Sequence, residues 1–251
     1  MEATALATTA ARAALDLVLP PRCLGCGDRV ASQGELCARC WTGLRWIEEP
    51  CCACCGRPFE HEIEPGAQCG ACMAEPPSYD RARAAFAYDP QSRGLVLGFK
   101  HGDRLETAEF LAGTLARAGR RLLVEADTIA PVPLHRLRLW WRTYNQAAVL
   151  SAMLARRFAK PHAAQAIRRR RHTRSQGRLS SAERRANLRG AFVVPERARQ
   201  ELRGRRVLLI DDVMTTGATV EACAKALLGA GAGAVDVLTA ARVLRADSPS
   251  L

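Results

Sequence analysis

Past Pro76-Pro77 the apolar positions fall into an alternation of strand-like and helix-like spacings. Arg83 to Tyr88 (RAAFAY) suits a strand. Asp103 to Ala118 suits a helix with Leu105, Ala108, Leu111, Ala112 and Leu115 along one side. Thr128 to Val132 reads as a short buried strand, and Asn145 to Phe158 has helical apolar spacing behind an Asn that can cap it. Ser180 to Glu183 has the form of a capping box and places a short helix at 181–188. Val207 to Ile210 is a buried strand, Thr219 to Leu228 a helix closed by Gly229 and Gly231, and Val235 to Ala240 a further strand. Alternation of this kind predicts an α/β domain over residues 80–245, a parallel sheet flanked by helices on both faces.

The N-terminal part follows another pattern. Residues 3–19 are mostly apolar, yet Arg12 and Asp16 interrupt them and no basic cluster precedes them, unlike a secretion signal. An amphipathic helix over 1–20, stopped by Pro20-Pro21, is the expected form. No apolar run reaches the roughly 18 residues that a membrane span needs, so the expectation is a cytoplasmic protein.

Between these parts, at 21–76, lie ten of the eleven cysteines. Cys23/Cys26, Cys37/Cys40, Cys52/Cys55 and Cys69/Cys72 all have CxxC spacing, with 10 residues between the first two pairs and 13 between the last two. That spacing reads as tetrahedral thiolate sites of zinc-ribbon type, holding one or two structural zinc ions. Gly27 and Gly56 after the second cysteine of a pair allow the tight turn. Cys51 and Cys54 offer a competing CxxC, but Cys52/Cys55 is preferred because Gly56 then follows Cys55 as Gly27 follows Cys26. Spacing leaves open whether the pairs join sequentially or interleave. A closed site with four thiolates has no position for water, which argues against catalysis there.

Charge sharpens the picture because it is local. From Arg156 to Arg206 there are 17 Lys+Arg against 3 Asp+Glu, a net of 17 − 3 = +14 in a chain whose total is +12. Such a field attracts polyanions: nucleic acid, phosphorylated metabolites or acidic partners. The alternative is a set of Arg-rich solvated helix faces. Upstream, Arg136, Arg138, Trp140, Trp141, Arg142 and Tyr144 interleave bases with aromatics as single-strand platforms do, and Arg168, Arg169, Arg170 and Arg171 extend the set. Packing of Trp140 and Trp141 beneath the next helix is the competing account.

The stretch VLLIDDVMTTGATV, Val207 to Val220, carries the most specific chemistry. Adjacent carboxylates repel each other and resist burial, so Asp211 and Asp212 at the end of an apolar strand point to a ligand. Ligands of parallel sheets sit at the carboxyl ends of strands. Thr215, Thr216, Gly217, Ala218 and Thr219 can present amides and three hydroxyls to a phosphate at a helix N-terminus, while the two acids accept from vicinal sugar hydroxyls. A phosphate cradle beside a diol reader describes a ribose 5-phosphate.

This stretch resembles the phosphoribosyl pyrophosphate (PRPP) signature of type I phosphoribosyltransferases. Together with the paired cysteines, FKHGD at 99–103, PVPLHRLRLWWRTYNQA at 131–147 and the run from Thr173 to Phe192, it is similar to the ComF family of competence proteins. The resemblance implies that Asp211 and Asp212 contact the ribose hydroxyls and 215–219 the 5-phosphate. It also implies that Pro133, His135 and Arg136 lie where pyrophosphate is held, with Lys100 and Arg142 as further sources of positive charge and Mg²⁺ entering with PRPP. The family commonly carries Arg-Gly-Phe-Asn-Gln where this chain reads Arg142-Thr-Tyr-Asn-Gln146. Two functions fit: a phosphoribosyltransferase for a nitrogen acceptor linked to DNA uptake, or a non-catalytic single-stranded-DNA-binding competence factor that senses a ribose phosphate. PRPP is the expected ligand, and single-stranded DNA and competence-machinery proteins are the expected partners.

Overall fold

In the computed structural model, residues 20–101, 105–134, 145–170, 188 and 190–244 are described. The helices expected at 1–20 and 181–188 fall almost wholly outside them. The chain runs through α1 (Ala38–Gly43), α2 (Gly70–Ala74), β1 (Arg81–Ala87), α3 (Pro90–His101), α4 (Leu105–Ala118), α5 (Arg120–Glu125), β2 (Thr128–Pro131), α6 (Gln146–Arg157), β3 (Arg168–Arg169), β4 (Phe192–Val193), α7 (Glu196–Leu202), β5 (Arg206–Met214), α8 (Ala218–Leu228) and β6 (Ala234–Arg242).

Four strands make one sheet in the order β1-β6-β5-β2, every neighbouring pair parallel. The central β6 is buried from Ala234 to Ala241, which is why it reads as an almost unbroken apolar run. Alternate side chains divide between two cores. Leu208, Ile210 and Leu238 pack with Leu111 and Leu115 of α4 and Leu150 and Leu154 of α6. Val207, Leu209, Val235 and Val237 pack with Val220, Cys223, Ala224 and Leu227 of α8. Cys223 is completely buried and belongs to that core.

Helices α1, α2, α3, α5 and α7 and the β3–β4 pair were not foreseen, and β5 only in part. Helix α3 carries a start signal in its sequence: Ser92 N–H donates to Asp89 Oδ1 and Asp89 N–H to Ser92 Oγ, both at 2.9 Å, around Pro90 in the first turn. Strand β5 runs four residues beyond Ile210, because β6 continues beside it with Asp211 opposite Thr239 and Val213 opposite Ala241. On its other edge β2 stops at Pro131, opposite Ile210. The apolar pattern ends where β5 loses one neighbour, so the two acids stand on a strand that is still paired on one side.

At the opposite, amino-terminal end of the sheet, the fully buried Asp236 accepts from Nε and Nη2 of Arg81, at 3.0 and 2.7 Å, and from Nη1 of Arg206 at 3.1 Å. Glu125 and Asp80 complete the cluster on Arg81 and Arg206 at 2.7 and 3.0 Å. Asp236→Ala removes the buried carboxylate that joins the two guanidinium groups, each of which keeps an outer partner, and it is expected to destabilise the protein by about 1.5–3 kcal/mol, read from urea unfolding.

The cysteine-rich part is docked onto the edge strand of the sheet. Ala82 N–H donates to Cys54 O at 2.6 Å, Ile47 N–H to Ala85 O at 3.0 Å, and Ala87 N–H to Arg45 O at 2.8 Å. Leu24 and Leu44 join the core under α3 and α4, whereas Cys52, Cys54, Cys55 and Cys72 join the core under α8. The two halves of the cysteine-rich part thus serve different cores.

Candidate functional site

The cysteines fold as two similar turns offset by 29 residues. Gly27 N–H donates to Cys23 O and Gly56 N–H to Cys52 O, each at 2.9 Å. Cys23 N–H donates to Asp28 O and Cys52 N–H to Arg57 O, at 2.7 and 2.8 Å. Gly27 and Gly56 have φ of 79° and 69°, the left-handed conformation that a side chain resists. The repeat places Cys51 where Arg22 stands and Cys54 where Gly25 stands, so neither occupies a ligand position.

The Sγ atoms of Cys23, Cys26, Cys37 and Cys40 lie within 4.8 Å of one another, as do those of Cys52, Cys55, Cys69 and Cys72. Tetrahedral zinc with Zn–S of about 2.3 Å separates its sulfurs by roughly 3.8 Å. Cys26 and Cys37 sulfurs are 3.7 Å apart, and so are those of Cys55 and Cys69. The pairs therefore join sequentially, and each group is compatible with structural zinc. Backbone amides supply part of the fit: Cys37 N–H points at Cys23 Sγ and Cys69 N–H at Cys52 Sγ, both at 3.2 Å. Burial pushes the Cys23 and Cys52 thiols up, yet such amides outweigh it and hold them at about 6 and about 7. Burial and the neighbouring sulfurs drive Cys40 and Cys72 strongly upward. A divalent cation removes that mutual repulsion among thiolates, and its binding releases protons.

The second site lies at the carboxyl end of β5. Asp211 and Asp212 are half-buried there, and each carboxylate accepts the amide N–H of the following residue, Asp212 N at 2.9 Å and Val213 N at 2.6 Å. The chain then turns through an exposed Thr215 and half-buried Thr216 and Gly217 into α8, whose first residue is Ala218. Gly217 is the N-cap, with φ of 78° and no side chain to bond the first-turn amides. Thr216 Oγ1 is buried and has no hydrogen-bond partner among the described residues. Uncapped helix amides and an orphaned hydroxyl beside two carboxylates are what an anionic, hydroxylated ligand would satisfy. Thr215 is exposed and Thr216 and Gly217 are partly so, so the turn reaches the surface.

Pro133 stands two residues beyond β2, half-buried, just past Val132, whose N–H donates to Ile210 O at 2.9 Å. It therefore flanks the acids. Lys100 is in the last turn of α3. His135, Arg136, Arg138, Trp140, Trp141, Arg142 and Arg171 lie outside the described residues. In the basic run, Arg168 and Arg170 are exposed, whereas Arg169 turns over the Phe192 ring at 5.5 Å in the β3–β4 pair.

A Ser–His contact elsewhere has another meaning. Ser151 Oγ is 2.9 Å from His162 Nε2, beside a hollow of about 690 Å³ along α6. Ser151 is wholly buried within the helix and donates to Ala148 O at 3.0 Å. A hydroxyl with no access to substrate is no nucleophile, and the contact ties α6 to the segment after it.

Comparison with known proteins agrees with this division. The chain is 33% identical over 227 residues to competence protein F of Haemophilus influenzae, covering 88% of this chain and 96% of that one. The chain belongs to the competence protein F (ComF) family. The DNA utilization protein YhgH of Escherichia coli is a further relative, 33% identical over 91% of this chain and 100% of its own length. Within the ComF chain, the double zinc ribbon domain matches residues 14–73 and the phosphoribosyl transferase domain residues 145–249. Among solved structures, the orotate phosphoribosyltransferase from Aeropyrum pernix aligns at 20% identity and a TM-score of 0.33, covering 63% of this chain and 80% of that one. That likeness is too loose to carry an argument about substrate. Among the described residues no helix is long and apolar enough to cross a membrane.

Sequence reasoning missed the residues that support the turn from outside the motif. Glu221, in the first turn of α8, accepts from Ser78 N and Ser78 Oγ, both at 2.8 Å. The Arg242 guanidinium, at the end of β6, reaches the Cys55 carbonyl and lies 3.8 Å from Met214 Sδ. Neither residue belongs to a local pattern; each meets the turn only through the sheet.

Proposed function

We propose that this ComF chain binds PRPP at the end of β5 and transfers its phosphoribosyl group to a nitrogen acceptor, in the setting of competence and DNA utilization that its relatives' names describe. The observation that carries the reading is the placement of two half-buried carboxylates directly before an uncapped, glycine-led helix start with an orphaned threonine hydroxyl. In this reading Asp211 and Asp212 accept from the ribose hydroxyls, and Thr215 to Thr219 hold the 5-phosphate. In the same reading residues 80–245 carry the reaction, and 21–76 form the zinc module at the edge of the sheet.

The acceptor nitrogen forms a bond to C1 while the C1–oxygen bond breaks. Pyrophosphate leaves with the electron pair and the nitrogen loses a proton. The enzyme acts mainly by fixing the ribose against the acceptor and offsetting the leaving-group charge. Pro133 is the described residue assigned to the pyrophosphate-holding segment, and His135, Arg136, Arg142 and Lys100 are assigned as the sources of polar and positive charge for the leaving group. Mg²⁺ bound with PRPP supplies further neutralisation of the leaving group. Calorimetric titration of Mg²⁺–PRPP tests the reading, and absence of heat from the wild type would end it.

The glycine provides an independent check. A β-carbon at Gly217 would sit 2.9 Å from Met214 Cε, on a backbone with φ of 78°. Holding a non-glycine residue there costs roughly 1–2 kcal/mol. Gly217→Ala is therefore expected to weaken PRPP binding about tenfold, with far-UV circular dichroism unchanged.

The exposed Arg168 and Arg170 give the nucleic-acid reading its own test. If they bind single strands, log K falls against log[salt] with a slope near −0.7 for each phosphate neutralised. Arg168→Ala/Arg170→Ala then flattens the slope by about 1.4 in fluorescence-anisotropy titrations. A slope equal to that of the wild type removes this surface from DNA binding.

A further inference from the structure

The second cysteine group lies against the back of the phosphate-binding turn. Cys54, Cys55, Cys72, Tyr79, Met214 and Ala218 are buried in one continuous cluster, so a wall of the zinc module is also a wall of the turn. Arg242 bridges the two. Its Nη1 donates to Cys55 O, its Nη2 lies 3.6 Å from Cys55 Sγ, and Nη1 lies 3.8 Å from the sulfur of Met214, the last residue of β5 before the turn. Val243 N–H closes the same junction on Met214 O at 2.9 Å. Met214 in turn backs Gly217: its Cε lies 2.9 Å from the position a β-carbon there would take, and Tyr79 Oη 3.9 Å from it. The segment leaving the module then reaches α8 through the two Ser78–Glu221 bonds.

Among the described residues the first group has no such path. Its turn abuts α3, where Gly25 O lies 3.3 Å from the β-carbon position of Gly94, and its apolar side chains belong to the other core. Arg39 stands near it, but that side chain is exposed and pairs with Asp28 at 3.1 Å.

We propose that the second cysteine group sets the shape of the 215–218 turn through Arg242, so that metal in that group and an anionic ligand on the turn reinforce each other. Arg242 is a positioning residue: it acts through Met214 and Gly217. The ligand half of this proposal rests on the PRPP reading above, whereas the effect on the turn itself does not. Because coupling between two bound species is reciprocal, PRPP must raise the zinc affinity of this group by the factor by which its zinc raises PRPP affinity.

The test compares wild type, Arg242→Met, Arg242→Lys and Arg39→Met, all in the zinc-loaded full chain. Arg242→Met is expected to speed hydrogen exchange at 213–218 and to weaken Mg²⁺–PRPP binding, each about tenfold. Arg242→Lys, which keeps a charge but loses the fork, recovers part of both, and Arg39→Met changes neither. In chelator competition on the wild type, PRPP raises the zinc affinity of one of the two groups by the same factor. Unchanged exchange in Arg242→Met overturns the proposal, whether or not PRPP binds. Faster exchange in a protein whose wild type binds no PRPP keeps the link to the turn and sinks the ligand reading alone. If Arg242→Met does not fold, equal zinc affinities with and without bound PRPP overturn the coupling.

Discussion

Asp211→Asn/Asp212→Asn is expected to lower PRPP affinity by roughly 10²–10⁴, from two charge-assisted hydrogen-bonding groups at about 1.5–3 kcal/mol each. Asparagine is the right replacement because the carboxylates also accept the Asp212 and Val213 amides, and an Asn oxygen can keep both bonds. The variant should therefore retain the turn and lose only its charge. Relief of repulsion between neighbouring acids should leave the melting temperature equal to or above that of the wild type, a common signature of residues kept for function. Calorimetry and thermal melting together separate a ligand-binding role from a structural one. Equal PRPP heats for variant and wild type would show that the acids do not read the ribose.

The second large effect concerns the metal groups, and it should be unequal between them. In small peptides a structural zinc contributes on the order of 10–16 kcal/mol, as much as the whole stability of a typical domain. Cys52 is fully buried and shares its core with Met214 and Ala218, whereas Cys26 is exposed. Cys52→Ser is expected to lower bound zinc from about two ions to about one per chain and to unfold the region behind α8 along with the second group. The melting temperature should fall by about 10 °C or more, taking 2–4 °C for each kcal/mol in a chain of this size. Cys26→Ser should also lose one zinc but confine its damage to the first turn. Atomic-emission metal analysis and calorimetric melting give both readings. Equal losses of stability would show that the second group is no more part of the core than the first.

Much of the fold is legible because its signals are local. The helix at 145–158 announces itself by Asn145, whose Oδ1 accepts from Ala147 N at 3.1 Å, and by apolar spacing that places Leu150 and Leu154 on the buried side. Helix α3 carried an equally local signal in Asp89, Pro90 and Ser92, which apolar spacing alone did not expose. The end of β5 was hidden for a different reason. Strand pairing is made by the backbone and depends on whether a neighbour continues, so Asp211 to Met214 remain strand beside β6 although their side chains are no longer apolar. For the metal groups, the repeat of Cys-x-x-Cys-Gly at 23–27 and 52–56 gave the ligand pairs in advance. Which pairs share a metal depends on how the chain folds back on itself.

Taken alone, the sequence determined the residue chemistry and the short-range geometry of this ComF chain: apolar periods, caps, thiolate pairs, and a carboxylate pair followed by a glycine-led turn. Each of these is set by contacts within a few residues along the backbone. Only the tertiary structure decided that the cysteine pairs close sequentially, that the two groups back different cores, and that Arg242 meets Cys55 and Met214 while Ser78 meets Glu221. Those contacts join residues 55 with 242 and 78 with 221. Sheet register and core packing bring them together, and no local pattern encodes either.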